Sequence, residues 1–116
     1  MARREPISEE FAVERDRLVR RVVPRRGRAY EHRCSLEVYT EVAHRIDEAG
    51  DVGVTIEEIA TAGGLPHSQV ATAVAFLKER GCLVPVHGRR HVAASTTPFE
   101  DAMVEYHALR EGAAGA

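Results

Sequence analysis

Between residues 35 and 48 apolar side chains recur at the spacing of one helical face: Leu36, Val38, Tyr39, Val42, Ala43 and Ile46, with Glu37, Glu41, Arg45 and Glu48 between them. The pattern predicts an amphipathic helix that Gly50 ends. After Asp51-Val52-Gly53, Thr55 and Glu58 have the spacing of a capping box, and Val54 and Ile59 that of a hydrophobic staple. A second helix therefore starts there, buries Ile56, Ile59 and Ala60, and stops at Gly63-Gly64. A third enters at Leu65 and Pro66, carries the stripe Val70, Ala73, Val74 and Leu77, and is followed by Gly81 as a left-handed capping residue. Residues 82–86 read as a strand, His87-Gly88 as a tight turn and residues 89–94 as an antiparallel return, with Pro85 restricting the first strand to an edge or bulge. Thr97 caps and Pro98 opens a last helix with Phe99, Ala102, Met103, Tyr106 and Leu109 on one side, and the Gly/Ala tail from Gly112 is expected to fray.

Ahead of this series, residues 7–23 also read as a helix. Ser8 can cap it, Glu9 and Glu10 suit its positive end, Phe11, Leu18 and Val22 fall at helical spacing, and Pro24 stops it. Arg25-Arg26-Gly27-Arg28 then reads as a basic linker. The expected organisation is a basic N-terminal helix and arm over 1–34, a core domain over 35–95, and a C-terminal helix and tail over 96–116.

Charge sharpens this picture more than composition does. The formal net charge is −2, yet residues 1–34 hold ten arginines against six acids, so a +4 arm precedes a −6 remainder, an arrangement suited to a polyanion. With 44% hydrophobic and 29% charged residues the chain reads as globular. No apolar run approaches a membrane span, and residues 1–6 lead into charges instead of a signal peptide's apolar stretch, so a cytoplasmic protein with no membrane partner is expected. Cys34 and Cys82 stand apart with no CxxC pair and read as free thiols. His32 with Cys34, and His87 with His91, fall short of three zinc-like ligands, so no metal and no cofactor are expected. The absence of a phosphate loop, nucleophile elbow or HExxH motif points away from an enzyme.

Three segments carry a family resemblance: Thr55-Ile56-Glu57-Glu58-Ile59-Ala60, Leu65-Pro66-His67-Ser68-Gln69-Val70, and Phe76-Leu77-Lys78-Glu79-Arg80-Gly81-Cys82-Leu83-Val84. Over about half the chain they resemble MarR-type and related bacterial repressors. The resemblance implies a mainly α fold with a small β-hairpin, a winged helix-turn-helix with flanking N- and C-terminal helices. It also implies that the helix over 66–80 lies in the major groove and the hairpin wing touches backbone or minor groove.

On that reading the partner is double-stranded DNA and the function that of a transcriptional regulator. With Val70, Ala73, Val74 and Leu77 inward, helical geometry turns Ser68, Thr72, Ala75 and Glu79 outward. None of these is Arg or Asn, the side chains best suited to bidentate base reading. Gln69 on the flank can pair with an adenine, Ser68 and Thr72 can bond phosphates, and Arg89, Arg90, Arg25, Arg26 and Arg28 are the candidate phosphate ligands. The stripes Phe11/Leu18/Val22 and Phe99/Met103/Tyr106 exceed what a core of this size needs. They predict either a homodimer paired through the terminal helices or helices folded back on their own core. Phe76 sits between the buried stripe and the outward face, which suits partial burial or a partner contact. The alternative function is a winged-helix protein-interaction module without direct DNA binding, using the wing and Phe76, and a third is a ligand- or metal-responsive sensor.

Overall fold

A computed structural model describes residues 7–115; Arg3 and Arg4, counted in the basic arm, lie outside the described residues. The N-terminal part departs from the helix expected over 7–23. It forms three antiparallel strands, β1 (Ser8–Glu14), β2 (Arg17–Val23) and β3 (Tyr30–Ser35), in the order β1-β2-β3. Strand side chains alternate between faces, and the register sets Phe11 opposite Arg20 and Arg20 opposite His32, with Leu18 between Val13 and Cys34. Phe11, Val13, Leu18, Val22 and Cys34 thus share one face. The turn between β1 and β2 is made by Arg15 and Asp16, both at positive φ (52° and 61°), a backbone whose twist matches that of a two-residue hairpin.

The rest follows the apolar pattern closely. Ser35 caps α1 (Leu36–Ala49), its hydroxyl accepting from the Val38 amide at 3.1 Å. Thr55 and Glu58 close the capping box of α2 (Ile56–Gly63), and α3 (His67–Glu79) follows. β4 (Leu83–Pro85) pairs antiparallel with β5 (His91–Ala93) around a turn at His87–Arg89, and α4 (Pro98–Gly115) runs on through the tail expected to fray. Gly53 has φ 77° and approaches β5 so closely that a Cβ there would lie 2.6 Å from the His91 carbonyl oxygen. That approach lets the Val54 and His91 backbones bond each other in both directions, at 2.9 and 2.8 Å.

The fold class is corrected accordingly. The chain is not mainly α with one hairpin; among the described residues it is an α+β structure with a three-stranded sheet, four helices and a two-stranded sheet. The N-terminal sheet lays its apolar face on α3, so that Leu18 and Cys34 join Tyr39, Val42, Val70, Phe76, Leu77, Ala102 and Tyr106 in one core cluster. A run of aromatic contacts threads this core. Phe11 meets Phe76 at 5.3 Å between ring centroids, Phe76 meets Tyr39 at 6.1 Å, and Tyr39 meets Tyr106 at 5.3 Å. The Tyr39 hydroxyl ties α1 to α4 by donating to the Ala102 carbonyl at 2.5 Å.

Candidate nucleic-acid interface

The outward face expected of α3 is occupied from within. Thr72 is fully buried, and its hydroxyl donates to the Ser68 carbonyl one turn back at 2.8 Å. Gln69 is half-buried, and its side-chain oxygen accepts the Ser35 amide at 3.0 Å, joining α3 to the start of α1. Thr72 has no surface from which to reach a base or phosphate, and the Gln69 oxygen is already taken. The placement of Thr72 as a DNA contact is corrected because β2 and β3 pack on the helix surface that carries it. Ser68 stays exposed.

The residues expected at a dimer or partner interface are absorbed in the same way. Leu18, Val22, Phe76 and Tyr106 are buried within the chain, and Phe11 packs on Phe76. Phe99 is half-buried and stacks on His44 at 4.1 Å, and Met103 is half-buried against the core. The two stripes therefore serve the protein's own core, and Phe76 presents no surface to a partner.

The arginines separate into engaged and available groups. Arg90 is engaged: its guanidinium donates to both Glu58 carboxylate oxygens, at 3.0 and 2.8 Å, and to the Gly53 carbonyl at 3.1 Å. The Arg90 hydrogen bond is the main cause that holds the Glu58 carboxyl below the usual carboxylate range, and Arg90 is raised in turn. Glu58 also bonds the Thr55 amide, so Arg90 fastens the β4–β5 hairpin to the capping box of α2. Arg20 pairs with Glu9 at 2.6 Å. On the solvent face of the sheet Arg21 bridges Glu14 and Glu31, and Arg33 also binds Glu31. The Arg21 hydrogen bond lowers the Glu14 pKa. Val19 lies on this charged face yet is fully buried, with Arg17 and Arg21 on either side along the strand and Arg33 opposite.

Arg25, Arg26 and Arg28 are all exposed in the loop that joins β2 to β3, not in a linker between domains. Neither Arg26 nor Arg28 is ion-paired among the described residues. The loop runs directly into Tyr30, which is 43% exposed and packs on the exposed His32 two residues on, with centroids 5.1 Å apart and planes inclined at 43°. Sequence reasoning missed these two rings. The signal was present as alternation after a basic run, Tyr30, His32, Cys34, which marks a strand instead of a linker.

Topology decides which of these groups converge. Phe11, on the same cross-strand row as His32, contacts Phe76, whereas Ser35 bonds Gln69. β3 therefore runs antiparallel to α3, and the β2–β3 loop lies toward the C-terminal end of α3. Arg80 lies at that end too, over the Phe76 ring at 5.3 Å. Arg89, exposed at φ 67°, is at the other end near Glu57, whose pKa is lowered first by a backbone hydrogen bond and then by His67 at 3.4 Å, with Arg89 the least of the causes. The wing and the basic loop are thus separated by about the length of α3, roughly 20 Å at 1.5 Å per residue. They do not form one surface with Ser68.

Cys34 is buried in the core, and burial pushes its thiol up to about 12; Cys82 is pushed up to about 11 for the same reason. Among the described residues no group of three or more His, Cys, Asp or Glu has metal-holding geometry, and no helix is long and apolar enough to cross a membrane. Comparison with protein-family models, characterised proteins and solved structures gives no match.

Proposed function

We propose that this chain is a non-catalytic nucleic-acid-binding protein of regulatory type that grips backbone phosphates with the β2–β3 loop instead of inserting α3 into a groove. The observation that carries the reading is the loop itself. Arg26 and Arg28 are exposed in the loop between β2 and β3 with no carboxylate partner among the described residues, whereas seven other arginines are matched to acids. Arg guanidinium binds phosphate through paired donors, and such contacts bring affinity without sequence information. The cover over Thr72 and the tie on Gln69 argue against base reading through α3, so discrimination between sequences should be small.

The test is a fluorescence-anisotropy titration of labelled nucleic acid at several salt concentrations. Wild type should bind at low salt with log K falling linearly with log[salt]. Arg26→Ala with Arg28→Ala should weaken binding to all sequences alike and make the slope shallower by about 0.7–0.9 for each phosphate that is no longer neutralised. Ser68→Ala should change little. Absence of binding at low salt would overturn the proposal.

A second reading, a protein-docking module, draws on Val84 and Val86, both exposed along β4 and its turn, and on Val52 beside β5, which is 74% exposed. Of the surface expected from the wing and Phe76 together, it keeps the wing alone, because Phe76 is buried. A stoichiometric complex abolished by Val84→Asp, with nucleic-acid binding absent, would favour it.

A further inference from the structure

The polarity of the loop's surroundings narrows what it would bind. A duplex presents phosphates on its outside and hides base faces in the stack, so a site adapted to duplex alone has no use for exposed rings. Here the loop leads straight into two of them. Tyr30 and His32 lie on the outer strand of the sheet, on the same face, in tilted contact with each other and exposed. Ile7 and Val23, 66% and 41% exposed, lie at this same end, where the Ile7 amide donates to the Val23 carbonyl at 2.9 Å. Arg20, held by Glu9, occupies the row of His32, and Arg80 lies over Phe76 near the same end of α3. Arg20 and Arg80 are each matched to an acid, so the uncompensated charge beside the two rings is that of Arg26 and Arg28 in the loop that leads into them. An exposed ring beside a cationic track is the arrangement that holds a strand with splayed bases, the bases stacking on the rings and the phosphates following the charge.

We infer that the β2–β3 loop and the Tyr30–His32 pair form one site for single-stranded nucleic acid, with Tyr30 and His32 as the stacking platform and Arg26 and Arg28 as phosphate ligands. The inference rests on the phosphate-binding reading above and adds the strand form. A rigid strand supports the platform, because His32 is paired across to Arg20 and the sheet is anchored through Phe11 on Phe76. Base stacking on aromatic side chains is sequence-tolerant, as every base has a π-face. The site should therefore accept mixed sequence and distinguish single strand from duplex more strongly than one sequence from another.

The experiment compares a fluorescein-labelled 12-nucleotide mixed-sequence DNA strand, its RNA counterpart and the annealed DNA duplex, titrated with full-length protein at the same salt. The single strands should bind at least about tenfold tighter than the duplex. Tyr30→Ala with His32→Ala should cost about tenfold on single strands and little on duplex. Tyr30→Phe keeps the ring and should retain affinity, which separates stacking from any general loss of structure; circular-dichroism melts of each variant check the fold. Duplex binding equal to or tighter than single strand, with dependence on Arg26 and Arg28 retained, would overturn this inference alone. Equal affinity of wild type and the Tyr30/His32 variant would do the same. No binding to any of the three would overturn the phosphate reading with it. Preference for the RNA over the DNA strand, or the reverse, supports the site and identifies which strand it takes.

Discussion

Thr72 and Phe76 lie one helical turn apart on α3, and both lose all solvent exposure to the sheet packed above them. Phe76 contacts Phe11 on one side and Tyr39 on the other, so Phe76→Ala should leave a cavity in the centre of the core and cost about 3–5 kcal/mol, measurable as a shift in urea midpoint. A helix that offered Phe76 to a partner would lose far less. Tyr106 provides the opposite sign. Its hydroxyl is buried and has no hydrogen-bond partner among the described residues, and burial raises its pKa. Tyr106→Phe removes an unsatisfied polar atom at nearly constant shape and should leave stability unchanged or raise it by up to about 1–2 kcal/mol, read by the same denaturation curves. A loss of more than about 1 kcal/mol would mean that the hydroxyl has a partner in solution.

His91 adds a pH dependence. Its ring is buried next to the Val54 bridge, and desolvation, with Lys78 as the second cause, lowers its pKa from the ordinary histidine value. A group whose folded pKa is lowered contributes stability above its unfolded pKa and loses it as pH falls toward the folded pKa. Stability should therefore decline as pH drops below about 6.5, with the decline reduced in His91→Gln. Melts between pH 8 and 5 check this, and equal slopes in the two proteins would contradict it.

At the scale of elements, local chemistry made some boundaries legible and left one segment ambiguous. Ser35, the Thr55/Glu58 box and Pro98 mark the starts of α1, α2 and α4, because capping is decided by a few neighbouring residues. Residues 7–23 carry two periods at once. Phe11, Leu18 and Val22 fit a helix by their spacing, while Phe11, Val13, Leu18 and Val22 fit strand alternation with Arg20 filling an inward position. A hairpin turn would have settled the matter, but Arg15-Asp16 lacks the Gly or Asn that normally signals it. The strand is chosen by tertiary packing on α3, which no local pattern encodes. That turn is also open to improvement. Arg15→Asn with Asp16→Gly supplies residues that accept positive φ readily, at the cost of the exposed 3.4 Å contact between Asp16 and Arg110. The double change should raise stability by about 0.5–1 kcal/mol if the hairpin is present. Were the segment helical, a glycine in its middle would lower stability instead.

Across the whole molecule, the sheet converts the outer side of α3 from a surface into an interface. The candidate site was legible in part for this reason: the arginine run at 25–28 was found from charge, but its neighbours Tyr30 and His32 depend on β3, and the removal of Thr72 and Gln69 depends on the sheet's packing. The apolar stripes expected to pair two chains are spent internally, so light scattering should return the monomer mass. The most direct test of the central claim is nuclear Overhauser spectroscopy of the uniformly labelled protein. Contacts between the Phe11 and Phe76 rings are expected, together with cross-strand contacts in the register Phe11 to Arg20 and Arg20 to His32. Sequential helical contacts through residues 8–23, with no Phe11–Phe76 contact, would contradict it and return α3 to solvent.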